Sequence, residues 1–233
     1  MNREKFRKSI TEIFTDTDEI FFQQIEIYKN FLQEYNHKMN LTRLDSEEKI
    51  YSEYFYESVV PYKDINFKNA ISILDVGSGS GIPGIVLKLL YPHIQLTIIE
   101  SSHKKCVFLN ELIIKLNIDV KILNQRAEII RPDLRESFDL VTSRAVAPLL
   151  IILELSLPYL KIGGICIEPK SKNGLHEIIG IETIINKLGG KLLLTKQFTS
   201  INNKLHVVIN VKKIKHTNII YPRNWQTIMK GVK

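Results

Sequence analysis

Residues 73–84 have the sequence ILDVGSGSGIPG, in which a short apolar run leads directly into a glycine-rich loop. Glycines at positions 77, 79 and 81 let the backbone turn tightly and approach a ligand that side chains would keep away. A second apolar run follows the loop, as expected for a strand, a loop and a helix in succession. The segment therefore predicts a pocket for a nucleotide-like ligand at the carboxyl end of a strand.

Beyond residue 70, short β-branched runs alternate with segments of helical period. The helical period is clearest over His103–Leu116, where the residues predicted to share one side are Val107, Phe108, Leu112, Ile113 and Leu116. Strands are predicted at 71–76, 95–100, 119–124, 138–143, 164–169, 191–198 and 205–211. This alternation indicates βαβ units, and the last two runs, joined by a turn around Asn202 and Asn203, indicate a hairpin. We expect an α/β, Rossmann-like fold with a mostly parallel seven-stranded sheet and an antiparallel C-terminal hairpin.

The N-terminal part has a different, helical pattern. Apolar residues over 18–35 recur at alternating steps of four and three, at Phe21, Ile25, Tyr28, Leu32 and Tyr35. A second helix is predicted from Ser46 toward Val60, because Glu47 and Glu48 suit the positive end of a helix dipole and Pro61 follows. We therefore predict a small helical cap over residues 1–65 and a ligand-binding domain over 66–233.

The composition excludes several classes of protein. The two cysteines, Cys106 and Cys166, lie in apolar periodic stretches without metal-ligand spacing, so neither a disulfide framework nor a metal site is expected. No apolar run approaches the roughly 18 residues that a membrane span needs, and no signal-peptide pattern follows the N-terminus. We expect a cytoplasmic protein with no membrane partner.

The net charge of +7 is unevenly distributed. Residues 183–233 contain ten Lys or Arg and no Asp or Glu, whereas residues 1–63 carry nine basic and twelve acidic residues. A stretch of one sign favours a polyanionic partner such as nucleic acid. A solvated lysine-rich surface would give the same pattern, so charge alone leaves both interpretations open.

Two acids beside the loop bear on the ligand. Asp75, two residues before Gly77, can hold the ammonium group that S-adenosylmethionine has and NAD lacks, although an acid here can also simply stabilise the turn. Glu100 ends the second strand, where a carboxylate can accept from both ribose hydroxyls of either ligand, or can be a solvated acid. Gly79, Gly81 and Gly84 also satisfy the dinucleotide fingerprint, so the glycines by themselves leave NAD possible.

With these positions, the chain resembles the GidB (RsmG) family, bacterial methyltransferases that modify guanine N7 in small-subunit ribosomal RNA. Six motifs carry the resemblance: Asn36 with Asn40-Leu41-Thr42, Glu57-Ser58, the loop from Asp75 to Gly84, Arg126-Ala127-Glu128, Ser143 to Ala147, and Tyr221-Pro222-Arg223. They span nearly the whole chain. Glu100 departs from the family's usual Asp, and Lys170-Ser171 departs from the usual Lys-Gly.

The resemblance implies a class I methyltransferase fold and a pocket for S-adenosylmethionine. The implied cofactor-binding residues are Asp75, Gly77, Gly79, Ile82, Glu100, Ser101, Ser102, Ala127, Glu128 and Arg144. Ala127 would pack on the adenine, Glu128 would accept from its amine, and Arg144 would lie beside the reacting centre. The implied target is a guanine in the 530 loop of 16S ribosomal RNA, and the implied enzyme is a monomer.

No general base is required for this chemistry, because guanine N7 already has an unprotonated lone pair; proximity and orientation can supply most of the acceleration. We therefore assign no catalytic residue. The residues predicted to contact RNA are Arg144, Lys170, Lys204, Lys212, Lys213 and Arg223, mostly through phosphates. Trp225 can stack on RNA or pack in the core.

Three alternatives stay open at this point. Asp75 weighs against an NAD-dependent dehydrogenase. The intact set of pocket residues weighs against an RNA-binding protein without activity. The acid-free C-terminal stretch would be surplus in a methyltransferase that acts on a small molecule.

Overall fold

A twisted sheet forms the centre of the molecule in the computed structural model, which describes residues 1–39, 41, 46–67, 71–193 and 195–230. Its strands are β1 Ser72–Val76, β2 Gln95–Glu100, β3 Lys121–Asn124, β4 Phe138–Thr142, β5 Leu160–Ser171, β6 Gly190–Leu192, β7 Lys196–Thr199 and β8 Leu205–Lys213. The strand order is β3-β2-β1-β4-β5-β8-β6, with β7 also paired to β8. The first five strands are parallel and β8 is antiparallel to β5.

The Rossmann-like fold and its C-terminal antiparallel strands are confirmed, but the strand count was wrong by one. The predicted strand at 191–198 is interrupted, so that β6 pairs with Val211 to Lys213 and β7 pairs with Leu205 to Val208. Since β5 occupies the other edge of β8, β6 and β7 share one edge. The described chain thus has eight strands in seven positions of the sheet.

Helices cover both faces of the sheet. They are α1 Arg3–Ile13, α2 Glu19–Met39, α3 Glu47–Lys49, α4 Glu57–Val59, α5 Gly84–Leu90, α6 His103–Leu116, α7 Leu149–Ser156, α8 Gly174–Glu177, α9 Glu182–Lys187 and α10 Trp225–Lys230. A π-helix, Ile50–Tyr56, joins α3 to α4, and short 3-10 turns occupy Val60–Tyr62, Pro132–Leu134 and Leu157–Tyr159. The predicted bounds of α6 are confirmed, but Val107 is exposed and the buried stripe instead includes Cys106 and Leu109.

The N-terminal helices share a core with the sheet. Phe6, Tyr28 and Phe55 belong to the same apolar cluster as Ile73 and Phe108. The cap therefore packs on one face of the sheet, and the predicted division at residue 65 does not separate two cores. Helix α2 begins after Asp18, whose side chain accepts from the Phe21 backbone N–H at 2.8 Å.

A second apolar cluster covers the other face, where the nearly continuous apolar run of α7 packs with α9 and with Ile228 of α10. Cys106 and Cys166 are buried free thiols, one on each side. Across the described residues, no helix combines the length and apolar character needed to cross a bilayer. The motif residues Asn40 and Thr42 lie outside the described part of the chain.

Candidate cofactor site

The glycine loop leaves the carboxyl end of β1 in a conformation that favours glycine. Gly77, Gly79 and Gly81 have positive φ angles of 68°, 65° and 107°. The Gly77 N–H donates to the Ile99 carbonyl at 2.7 Å, which ties the loop to β2. A Cβ atom at Gly79 would meet open space, so this part of the loop leaves room for a ligand.

The Asp75 carboxylate accepts hydrogen bonds from the glycine loop. Its Oδ2 accepts from the Ser78 hydroxyl at 2.6 Å and from the Gly84 backbone N–H at 2.9 Å. Burial raises the pKa of Asp75 to about 7. Oδ1 is buried and has no hydrogen-bond partner among the described residues. The loop-stabilising interpretation is therefore correct, and a contact with the ligand's ammonium group, which would engage Oδ1, stays a prediction.

Glu100 joins the glycine loop to the loop after β2. Its Oε2 accepts from the Gly79 N–H at 3.0 Å and its Oε1 from the Ser102 N–H at 2.8 Å. The residue is 5% exposed, which rules out a solvated strand-end acid. Because each carboxylate oxygen can accept more than one hydrogen bond, both keep capacity for a ribose hydroxyl.

A cavity of about 180 Å³ opens beside this carboxylate. Its lining includes four of the residues that the family resemblance implies for the cofactor: Gly77, Ser101, Ala127 and Glu128. The remaining lining is mostly apolar and comes from Val76, Ile99, Gln125, Arg126, Val146, Leu155 and Trp225. A mostly apolar slot with the Glu128 carboxylate in its wall suits a purine nucleoside. Six of the predicted cofactor-binding residues do not line this cavity: Asp75, Gly79, Ile82, Glu100, Ser102 and Arg144. Ile82 packs against the core on the cap side.

Glu128 lies at the wall of the cavity with its side chain 10% exposed. Its Oε1 binds Arg126 Nε at 2.5 Å, so Oε2 is the oxygen left for a ligand amine. The Tyr159 hydroxyl donates to the Ala127 carbonyl at 2.7 Å and fixes the same turn. The turn after β3 is thus held by an ion pair within it and by a hydrogen bond from Tyr159.

Arg144 follows β4 and extends into the cap. Nη2 donates to the Glu53 carbonyl at 2.7 Å and Nη1 to the Tyr54 carbonyl at 3.4 Å. Burial lowers the pKa of Arg144, while Glu57 opposes that shift. The residue is therefore not a free surface arginine. It connects the tip of β4 to the π-helix, a rare element that often occurs at functional sites.

Sequence reasoning missed Glu168, near the end of β5. It is fully buried, and its Oε2 accepts from the Ser143 hydroxyl at 2.6 Å, directly beside Arg144 in the chain. Burial raises the pKa of Glu168 to about 8. The available signal was an acidic residue within an otherwise apolar strand.

A family model described as "GidB: rRNA small subunit methyltransferase G" matches residues 22–208. The chain belongs to the GidB family. Two relatives are named ribosomal RNA small subunit methyltransferase G: one from Ureaplasma parvum is 41% identical over 99% of each chain, and one from Malacoplasma penetrans is 47% identical over 90% of each. The family resemblance is thereby confirmed.

Solved structures share the fold of this GidB-family chain. TYW2 of M. jannaschii, crystallised with AdoMet, is 18% identical and has a TM-score of 0.51, with 62% of this chain and 70% of that chain covered. Ribosomal protein L11 methylase of Lactobacillus delbrueckii subsp. bulgaricus is 15% identical and has a TM-score of 0.52, with 68% and 77% covered. At these identities the likeness supports the class I methyltransferase fold alone.

Two of the residues predicted to contact RNA in this GidB-family chain bind protein carboxylates instead. Lys213 is 0% exposed, and its ammonium group pairs with Glu136 at 3.2 Å and donates to the Leu157 carbonyl at 2.6 Å. Arg223 makes a bidentate contact with buried Glu154, at 2.9 and 2.6 Å. The prediction for Lys213 was wrong, and the guanidinium of Arg223 is committed to a protein carboxylate.

The other predicted RNA contacts lie at opposite edges of the sheet. Lys212 is exposed but pairs in register with Ile165, at the amino end of the parallel strands and away from the glycine loop. Lys204 precedes β8 at the carboxyl edge, with 64% of its side chain exposed. Lys170 donates to the Ala147 carbonyl at 2.6 Å, so it supports the loop after β4.

A larger cavity, about 470 Å³, opens at the amino edge of the sheet between Ser72, Gln95 and Lys121. The glycine loop and Glu100 lie at the carboxyl edge, where ligands of open α/β sheets bind. We therefore assign the cofactor to the smaller cavity on chemical grounds.

Proposed function

We propose that this GidB-family chain transfers the methyl group of S-adenosylmethionine to N7 of a guanine in the 530 loop of 16S ribosomal RNA. The observation that carries the proposal is the cavity at the carboxyl edge, which is lined by Gly77 of the glycine loop, by Ser101 next to Glu100, and by Ala127 and Glu128. The family description supplies the class of RNA. The same family assignment supports a cytoplasmic enzyme, and we propose that it acts as a monomer on 16S ribosomal RNA or the small subunit.

The residues present fit the cofactor. The bare backbone at Gly77 and Gly79 suits its amino-acid portion, and the orphaned Oδ1 of Asp75 is the nearby acceptor. Glu100 would hold the ribose hydroxyls. Ala127 and Glu128 would contact the adenine, the first through packing and the second through Oε2. When bound, the cofactor supplies an electrophilic methyl group on a sulfonium.

The chain's own contribution is to hold the target nitrogen in line with that methyl group. Guanine N7 needs no deprotonation, so orientation can account for most of the rate. Arg144 fixes the tip of β4 against the carbonyls of Glu53 and Tyr54, and this contact sets the width between sheet and cap. Arg144 is thus a positioning residue in this proposal, since its guanidinium binds the cap.

RNA docking is proposed at the carboxyl edge, where exposed Lys204 supplies a positive charge, 4.0 Å from Glu53. Lys170 would act indirectly through the loop that carries Arg144, since its ammonium group binds Ala147 and lies 3.3 Å from Glu177. Phosphate contacts of this kind orient an RNA, and a splayed base in the pocket gives specificity.

The proposal is tested by mapping N7-methylguanine in ribosomal RNA from cells with and without the gene. We expect the modification in the 530 loop to disappear on deletion and to return with the wild-type gene. A Glu182→Gln gene serves as a matched control, because Glu182 is an exposed acid on α9 outside the site. An unchanged N7-methylguanine signal after deletion would overturn the proposal.

A further inference from the structure

The chain has one tryptophan, and it lines the cofactor cavity. Trp225 begins α10 and shares the cavity with Gly77, Ala127 and Glu128, although it lies 148 residues after Gly77 and 97 residues after Glu128 in the chain. We propose that the C-terminal segment 217–230 is the outer wall of the cofactor pocket and that Trp225 contacts the adenine. This inference rests on the proposed function, since it takes S-adenosylmethionine as the ligand.

The indole ring packs against a cation at the wall of the cavity. The Arg126 guanidinium lies 4.6 Å from the centroid of the ring, and Arg126 in turn binds Glu128. The Arg126 guanidinium therefore contacts both the Glu128 carboxylate and the indole ring, and it fixes the ring at the cavity wall. Stacking between a base and an aromatic side chain typically adds substantially to affinity and tolerates many base identities.

The segment is anchored at its beginning by Arg135. This guanidinium donates to the carbonyls of Tyr221 and Thr217 at 3.0 Å and of Asn218 at 3.1 Å. Arg135 follows the 3-10 turn Pro132–Leu134, which comes after the pocket turn containing Ala127. The chain before Trp225 is therefore fixed to the part of the protein that carries the adenine side of the cavity.

A second anchor lies on α7. Arg223 binds Glu154 through its side chain and through its backbone N–H, which donates to Oε1 at 2.8 Å. Glu154 is 1% exposed and its neighbour Leu155 lines the cavity. Hydrogen bonding to Glu154 raises the pKa of Arg223. Arg223 is thus a positioning residue for Trp225.

The third anchor is apolar. Ile228 on α10 is 1% exposed within the second core cluster, while Met229 beside it is 43% exposed. Asn224 accepts from the Thr227 backbone N–H at 3.0 Å and starts the helix. With three anchors in fourteen residues, the indole ring is held at the pocket wall before the ligand arrives.

Because Trp225 is the only tryptophan, its fluorescence reports on the pocket directly. S-adenosylhomocysteine is titrated into the full-length chain while fluorescence and calorimetry are recorded under the same conditions. We expect the emission to change with the same Kd that calorimetry gives. We expect Trp225→Ala to weaken binding about ten-fold or more, which corresponds to about 1.4 kcal/mol or more, and Trp225→Phe to restore most of it.

Met229→Ala is the matched control, since it truncates a side chain on the same helix outside the cavity; its Kd should equal that of the wild type. Circular dichroism checks that Trp225→Ala is folded, and Arg223→Gln should reduce the change in emission without removing the indole. Tight binding by calorimetry with unchanged emission and an unaffected Trp225→Ala variant overturns this inference alone. Absence of any binding to the wild type overturns both this inference and the proposed cofactor.

Discussion

Three buried carboxylates define the ligand end of the sheet at the level of single residues. Asp75, Glu100 and Glu168 each accept hydrogen bonds from the loops that surround the pocket. A buried carboxylate is tolerated only when such bonds offset its lost hydration, or when it takes up a proton. The raised pKa values of Asp75, to about 7, and Glu168, to about 8, show that burial outweighs the hydrogen bonds at both sites.

Glu168 therefore makes stability depend on pH. Its pKa rises from an ordinary 4.5 to about 8 on folding, so between these values the folded chain binds more protons than the unfolded chain. The free energy of unfolding should fall through this window as pH rises, by at most about 1.4 kcal/mol per pH unit from this group. In Glu168→Gln this contribution is absent.

We expect the free energy of unfolding of Glu168→Gln, minus that of the wild type, to increase from pH 5 to pH 8 in denaturant titrations. Glu182→Gln removes an exposed acid and should give a nearly constant difference. A difference for Glu168→Gln that stays flat or falls with rising pH contradicts the assignment of a protonated, buried acid.

Glu100 should control affinity for the cofactor. Glu100→Gln replaces one carboxylate oxygen, which accepts from the N–H of Gly79 or of Ser102, by an amide group that can only donate. One of the two hydrogen bonds to the loops is then lost. We expect the variant to bind the ribose hydroxyls more weakly. Loss of a hydrogen bond to a charged group predicts about ten-fold weaker binding of S-adenosylhomocysteine or more. Calorimetry on Glu100→Gln and Glu182→Gln makes the comparison; equal Kd values for the two variants are incompatible with this role.

At the level of elements, the glycine loop is held by the cap. The Tyr28 hydroxyl on α2 donates to the Ser80 carbonyl at 2.5 Å, and the Tyr54 hydroxyl on the π-helix donates to the same carbonyl at 2.9 Å. A Cβ atom on Gly81 would come within 2.5 Å of the Tyr28 oxygen. The cap and the loop thus fit together only with glycine at this position.

Two alanine variants separate backbone strain from this clash. Gly79→Ala places a Cβ in open space at a positive φ, which predicts a loss of about 1–2 kcal/mol. Gly81→Ala adds the contact with Tyr28 and should lower Tm by at least about twice as much. Thermal unfolding of the two ligand-free variants and the wild type measures both decreases in Tm. Equal Tm values for the two variants would mean that Tyr28 does not exclude a side chain at position 81.

Regular periodicity made several elements predictable. The bounds of α6 and the positions of β1 to β5 follow from apolar repeats that burial enforces, and Ser46 marks the start of α3 by capping. The π-helix was not predicted, because its i to i+5 spacing is set by packing of Tyr51, Tyr54 and Phe55 against other elements.

The site was predictable where backbone chemistry decides it and unpredictable where distant partners do. The glycine loop and Glu100 come directly from local sequence, whereas the turn at Ala127 was implied only by the family resemblance. Lys213 has the sequence context of an exposed lysine, yet Glu136 neutralises it in the interior. A count of charges along the sequence does not show that a carboxylate on another element pairs with a given lysine.

At the level of the whole molecule, two exposed lysines of the basic C-terminal stretch lie at opposite edges of the sheet. Lys204 lies beside the carboxyl edge of the sheet, where the pocket opens, and Lys212 lies at the amino edge. Phosphate contacts act over short distances at physiological salt, because the Debye length is about 8 Å. Of these two lysines, Lys204 should therefore have the larger influence on an RNA whose guanine enters the pocket.

Charge reversal at these two lysines is a matched test. Lys204→Glu should lower kcat/KM for ribosomal RNA about ten-fold, while Lys212→Glu should change it by less than about two-fold. Lys204→Gln removes the charge without adding repulsion from nearby Glu53 and should give a smaller decrease. The wild-type value should also fall steeply with salt. Equal effects of the two reversals would place RNA docking elsewhere on the surface.

The central claim, that the pocket at the carboxyl edge supports methyl transfer to a guanine, is tested most directly with purified chain, 16S ribosomal RNA or small subunits, and S-adenosylmethionine labelled on its methyl group. The RNA is digested and its nucleosides are separated. The account predicts label in N7-methylguanosine from a single position in the 530 loop. Label in another nucleoside, or no transfer while calorimetry shows the cofactor bound, contradicts it.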